Sequence, residues 1–191
     1  PPLITTYTGK HFDITNMDPA AIGIEDIATL VPHLSRQRSR PDLLFRRPAL
    51  SAVAYETEAR GGSARLIVAA LLHDSTECYM SDVPRPLKAV MPGYSETETA
   101  LLNLIYEKYL AAFEDEETAY LKGIDNDFLW YDLTYLLDDR PDGKAPTVHI
   151  TPDYTVQPFA DVEEEYLALF RVMPNRFRKE NNSMNIQIFG T

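Results

Sequence analysis

Leu66-Ile67-Val68-Ala69-Ala70-Leu71-Leu72-His73-Asp74 is the stretch on which the reading of the fold turns. A helix at the surface keeps one polar face, and the residues from Leu66 to Leu72 leave none. The run therefore predicts a helix buried at the centre of the molecule, with His73-Asp74 within or just past its apolar part. Ser63 stands in front of it as an N-cap. Gly61-Gly62 ends the preceding helix, expected over Ala49–Arg60 after Pro48. Beyond it, Asp82-Val83-Pro84-Arg85-Pro86-Leu87-Lys88 reads as a rigid, Pro-framed turn.

Working outward, the periodicity predicts a long amphipathic helix over Ser95–Phe113, carrying Leu101, Leu102, Leu104, Ile105, Tyr109 and Leu110. A second covers about Glu116–Leu137, with Gly123 as a point where it could break. A last helix covers Phe159–Phe170, opened by the acids Glu163–Glu165, which the helix dipole favours there. The tail from Asn175 is polar and expected to be irregular. Toward the N-terminus, Leu3–Phe12 with its Thr8-Gly9 turn signal reads as a short strand or extended arm. Asp18-Pro19 then opens a helix with an apolar stripe of Ile22, Ile24, Ile27, Ala28, Leu30 and Leu34. Arg36–Arg47 is a basic loop interrupted by proline. Arg140–Lys144 is a turn, and Val148–Ile150 with Val156 reads as a small strand or hairpin. The expected class is all-α, or mainly α, with a minor N-terminal strand or hairpin. One domain is expected over residues 1–174, followed by a polar tail over 175–191.

Composition bounds the function. The chain has 191 residues, with 18 Lys and Arg against 29 Asp and Glu, for a formal charge of −11. That balance argues against a nucleic-acid polymer as partner, because phosphate backbones want basic surface. It leaves room for a local basic pocket that takes one small phosphorylated ligand. No apolar run approaches the roughly 20 residues a membrane helix needs, so no membrane partner is expected. No leader pattern opens the chain, and Pro1 in place of Met reads as a processed or trimmed start. Cys78 is the one cysteine, so no internal disulfide can form and a reducing cytoplasm is the expected location. No base at fixed spacing supports nucleophilic chemistry at Cys78, which reads as a small core filler.

The chemistry is expected in His73-Asp74-Ser75-Thr76-Glu77-Cys78-Tyr79-Met80-Ser81-Asp82. Charged side chains directly after a buried apolar helix are costly unless paired or bound to a cation. On a helix, Asp74 and Glu77 are three apart and His73 and Glu77 four apart, so they share a face. An imidazole beside carboxylates suits Mn²⁺, Co²⁺, Fe²⁺, Zn²⁺ or Ni²⁺. Such an ion lowers the pKa of bound water and polarises a phosphoryl oxygen. The plainer reading is a helix end whose acids face water. Trp130 with Tyr131 reads as core rather than a base-stacking platform, and His33, His11 and His149 read as core-edge, surface or packing residues.

The run Leu71–Lys88 resembles the signature of the HD-domain phosphohydrolases, closest to the 5′-deoxynucleotidases and phage dATP triphosphohydrolases, which reads LLHDxxEaYxgDipxPlK. The likeness extends to Ile4–Lys10, Ile24–Ala28, Leu34–Gln37 and Glu163–Phe170. The resemblance implies a helical bundle around a metal held by a His from an early helix, the pair His73 and Asp74, and a later Asp. That Asp falls on Asp125, in Gly123-Ile124-Asp125-Asn126-Asp127-Phe128-Leu129, with Asp127 as the competing choice. Glu77 and Asp82 match the acids that orient or activate water. Lys88 matches a lysine that can hold a phosphate oxygen, and Arg36 or Arg38 an arginine of the substrate pocket. The chain departs from the pattern at the first His, where the alignment places Glu56. That ligand is then missing, replaced by Glu56, or supplied by His33. Glu56 as a ligand would favour harder cations such as Mn²⁺ or Mg²⁺. The implied function is divalent-metal-dependent hydrolysis of a small-molecule nucleotide, a deoxynucleoside mono- or triphosphate. The alternative is an HD-like module that binds nucleotide without turnover. Relatives are commonly oligomeric, so a homo-oligomer is implied.

Overall fold

The computed structural model describes residues 3–29, 49–110, 113–136, 141–155 and 157–188. The chain is mainly helical. Among the described residues the strands are β1 (Leu3–Thr5) and β2 (His11–Asp13), an antiparallel pair that sets Ile4 opposite Phe12. Gly9 turns between them at φ +81°, a left-handed value open to glycine. Asp18 caps the next turn by accepting from the Ala20 amide at 2.8 Å. That turn is a 3₁₀ segment, Pro19–Ala21, and helical geometry resumes only over residues 24–29. The single helix expected from Asp18 is thus split. Gly23 lies in the break, where a Cβ would meet Lys10 Nζ at 2.8 Å.

The bundle is built from α1 (Ala49–Ala59), α2 (Ala64–Leu72), α3 (Glu77–Met80), α4 (Arg85–Lys88), α5 (Tyr94–Leu110), α6 (Asp115–Leu136) and α7 (Phe159–Ile188). Helix α2 is the centre, as its composition predicts. Ile67, Ala69, Ala70, Leu71 and Leu72 are fully buried, and α1, α5 and α7 pack against it. Ser63 accepts from the Leu66 amide to cap its start. The handover from α1 is a Schellman turn. The Gly62 amide donates to the Thr57 carbonyl and the Gly61 amide to the Glu58 carbonyl, both at 2.9 Å, with Gly61 at φ +79°.

Further elements differ from expectation, and within the Pro-framed stretch Arg85–Lys88 is a single helical turn. Residues 148–150 form no strand. The amides of His149 and Ile150 turn inward to a side chain, described below, instead of to a neighbouring strand, and Val156 lies outside the described residues. The segment from Asn175 is helical rather than irregular, because α7 continues to Ile188. That helix also starts at Phe159, so Glu163–Glu165 lie in its second turn. There Thr29 donates to Glu163 at 3.1 Å and Tyr55 to Glu165 at 2.7 Å. Gly123 does not break α6.

Candidate metal centre

The last four carbonyls of an α-helix have no partner inside it, and at the buried end of α2 water cannot serve all of them. Side chains take the role instead. The Tyr106 hydroxyl of α5 donates to the Ala69 carbonyl at 3.4 Å, and the Tyr166 hydroxyl of α7 donates to the Leu71 carbonyl at 2.8 Å. Ser75 Oγ donates to the Leu72 carbonyl at 2.6 Å. The fourth carbonyl, Ala70, lies 2.7 Å from His73 Nδ1. A carbonyl can only accept, so Nδ1 carries the proton and Nε2 is directed away from the helix. This is the usual way in which a metal-binding imidazole is oriented by its other nitrogen.

His73 Nε2 is buried and makes no hydrogen bond of good geometry. Two carboxylates face it. Asp74 Oδ2 is 3.3 Å away and Asp125 Oδ1, from α6, is 3.8 Å away. One donor atom from each of His73, Asp74 and Asp125 lies within 4.8 Å of the others. One nitrogen and two oxygens at that spacing, with an orphaned imidazole nitrogen among them, fit a divalent ion of the Mn²⁺ to Zn²⁺ range with open positions for water or ligand. Burial opposes charge on His73, but the facing carboxylates of Asp74 and Asp125 override it and raise its pKa well above the ordinary value. Burial likewise works against the Asp125 carboxylate, and His73 and Lys122 hold its pKa far below the usual range.

The two oxygens of Asp125 face different groups. Oδ1 faces His73, whereas Oδ2 accepts from Arg85 at 3.1 Å and from Lys122 at 2.8 Å. Arg85 also donates to Asn126 Oδ1 at 3.0 Å. Both cations are about half exposed, each with 54% of its side chain open to solvent, against 13% for Asp125. They form the outer edge of the centre. Arg85 and Lys122 were not singled out in the sequence. The only signal was an arginine inside a proline-framed turn and a lysine one helical turn before Asp125.

The competing Asp127 lies elsewhere. Two positions along a helix rotate a side chain by about 200°, and Asp127 pairs with Arg60 at 3.0 Å. Glu56 does not join the three-residue centre either, contrary to its expected place as a ligand. It is fully buried on α1 and its lone pairs are committed. Oε1 accepts from Arg60 Nε at 2.8 Å and contacts His149 Nδ1 at 2.9 Å, and Oε2 accepts from the amides of His149 at 2.8 Å and Ile150 at 2.9 Å. Burial pushes its pKa up, but the His149 imidazole, Arg60 and the two amides outweigh that and hold it at about 2.

Lys88 spends its charge on Glu98 and lies 5.6 Å over the Tyr94 ring. Glu77 is buried at the start of α3, and Asp82 is half-buried just after it. Burial raises the Tyr94 pKa to about 12, with help from the charges of Glu98, Glu77 and Asp82, and the Tyr94 hydroxyl donates to the Ser81 carbonyl at 3.2 Å. Ser81 holds φ +66° between α3 and Asp82, a value that side chains rarely adopt. Burial pushes the Cys78 thiol up to about 12, which leaves it inert, as a core filler should be. Arg36, Arg38 and His33 lie outside the described residues. No helix among the described residues is long and apolar enough to cross a membrane.

No protein-family model matches the chain. It is similar to the uncharacterized protein YfdR of Escherichia coli (strain K12), with 29% identity over 106 residues, which are 56% of this chain and 57% of that protein. The chain thus spans little more than half the length of this relative.

Proposed function

We propose that this chain is a divalent-metal-dependent phosphohydrolase acting on nucleotides, either mono- or triphosphates, of the HD-domain kind. The observation that carries the reading is the convergence of His73 and Asp74, at the end of the buried helix, with Asp125 of a separate helix around one buried, unbonded imidazole nitrogen. These three residues would hold the ion. When bound, it would acidify a water and polarise a phosphoryl oxygen. His73 is presented through its bond to the Ala70 carbonyl. Asp74 and Asp125 supply the negative charge that retains a cation. Glu77 and Asp82, a few residues on, are the acids proposed to orient water and carry protons.

The test pairs metal analysis of protein purified without chelator with a panel of deoxynucleoside mono- and triphosphates in Mn²⁺, Co²⁺ or Mg²⁺. Release of phosphate or pyrophosphate, abolished in His73→Ala, is the expected result. Stoichiometric metal without turnover on any nucleotide would overturn the hydrolase. A second reading, a nucleotide-binding module without turnover, draws on Glu56: the position where the family resemblance calls for a first histidine is bound to Arg60, His149 and Ile150. Nucleotide-dependent thermal stabilisation with no product would favour that module.

A further inference from the structure

We propose that Arg85 and Lys122 form the anion-binding half of the centre and take the oxygens of the ligand's phosphoryl group. This deepens the reading above and rests on it. Three observations carry it. First, the two cations come from unrelated parts of the chain, α4 and α6, yet both reach the same oxygen, Asp125 Oδ2. Second, that oxygen is the one turned away from His73, so the cations flank the position of an ion without standing between its donors. Third, both side chains are 54% exposed, whereas His73 and Asp125 are 9% and 13% exposed. The guanidinium and the ammonium are thus open to a ligand in solvent, whereas the imidazole is buried behind its contacts with Asp125 and Asp74.

The chemistry of the pair suits a phosphate. Guanidinium offers a planar fork of donors that matches two phosphoryl oxygens, and an ammonium on a flexible stem adds a point charge. Both are exposed enough to exchange part of their contact with Asp125 for a ligand oxygen. Lys88, the lysine that the family resemblance gives for a phosphate oxygen, pairs with Glu98 and lies over the Tyr94 ring.

Two separate titrations test this on the full chain: inorganic pyrophosphate without metal, and Mn²⁺ without pyrophosphate. Arg85→Gln and Lys122→Gln should each weaken pyrophosphate binding about tenfold, the loss of one charge-assisted contact. Each should tighten Mn²⁺ binding about threefold, because a positive charge next to the ion is removed. Arg85→Lys should recover part of the pyrophosphate affinity and none of the Mn²⁺ gain. Opposite signs separate an anion-binding role from damage to the fold, which would weaken both. Unchanged pyrophosphate affinity in both variants, or no pyrophosphate binding by the parent, overturns the inference. No Mn²⁺ binding by the parent overturns the metal centre but not the anion site, which the pyrophosphate arm then decides alone.

Discussion

Glu56 shows how one residue's surroundings decide its role. A carboxylate with two amides, an imidazole and a guanidinium on it is a structural anchor. It ties α1 to the segment after α6, and Arg60 extends the tie to Asp127. Its pKa is about 2 in the folded chain, below the ordinary 4.5. A depressed value means that the ionised form is favoured by folding. The contribution is complete above pH 4.5 and is lost as pH falls toward 2. The size of the shift corresponds to about 3 kcal/mol. Glu56→Gln should therefore lower stability by about that amount at pH 7, measured by chemical denaturation. The gap between variant and parent should narrow as pH drops below 4.5. A gap that stays constant from pH 7 to 3 would show that the Glu56 charge is not what holds the segment.

At the scale of elements, the sequence was legible wherever a signal was local. The all-round apolar run gave the central helix, Ser63 its start, and Gly61-Gly62 the end of α1. Signals that depend on distant partners were not legible. Val148–Ile150 reads as a strand because Val148 and Ile150 are β-branched, but the amides of His149 and Ile150 are satisfied by Glu56, more than 90 positions away. The helical tail beyond Asn175 lacked the apolar stripe by which helices are read. The pairing of Arg85 with Asp125 joins residues 40 apart, and no periodicity records it. His73 and Asp74 stand out in the sequence through the apolar run they follow and their resemblance to a family signature, and the structure sets Asp125 beside them. Two glycines, one at a helix boundary and one inside a helix, make opposite predictions. A Cβ on Gly62 would meet the Thr57 carbonyl oxygen at 2.8 Å and the Thr57 methyl at 2.6 Å, whereas a Cβ on Gly123 meets nothing within 4 Å. Gly62→Ala should cost about 1–3 kcal/mol through overpacking. Gly123→Ala, inside α6, should gain about 0.5–1 kcal/mol by removing glycine's excess freedom in the unfolded chain. Thermal melting would read the two as shifts of opposite direction. A stabilised Gly62→Ala would mean that the Schellman turn is not as tight as described.

For the molecule as a whole, the centre adds a polar tie to elements that already share one core, Leu121, Ile124 and Phe128 of α6 lying in the same cluster as Ile67, Leu71 and Leu72 of α2. His73 and Asp74 end the helix around which α1, α5 and α7 pack, while Asp125 belongs to α6, which packs on α1. An ion held by all three, as proposed, would bridge α6 to the end of α2, and it would bind the folded chain far better than the unfolded one, where the donors are dispersed. Linkage then sets the size of the effect: an ion at a hundred times its Kd stabilises by about 2.7 kcal/mol. A chain of this length shifts by about 2–4 °C per kcal/mol, so Mn²⁺ or Co²⁺ should raise the melting temperature by about 5–10 °C over chelator-treated protein. Asp125→Asn keeps the shape of the side chain but removes its charge, and should abolish most of that rise. Asp127→Asn, on the other face of α6 against Arg60, should leave the rise intact while lowering the baseline. If the two variants exchanged these outcomes, the ion would be held on the Arg60 side of the helix and not by His73.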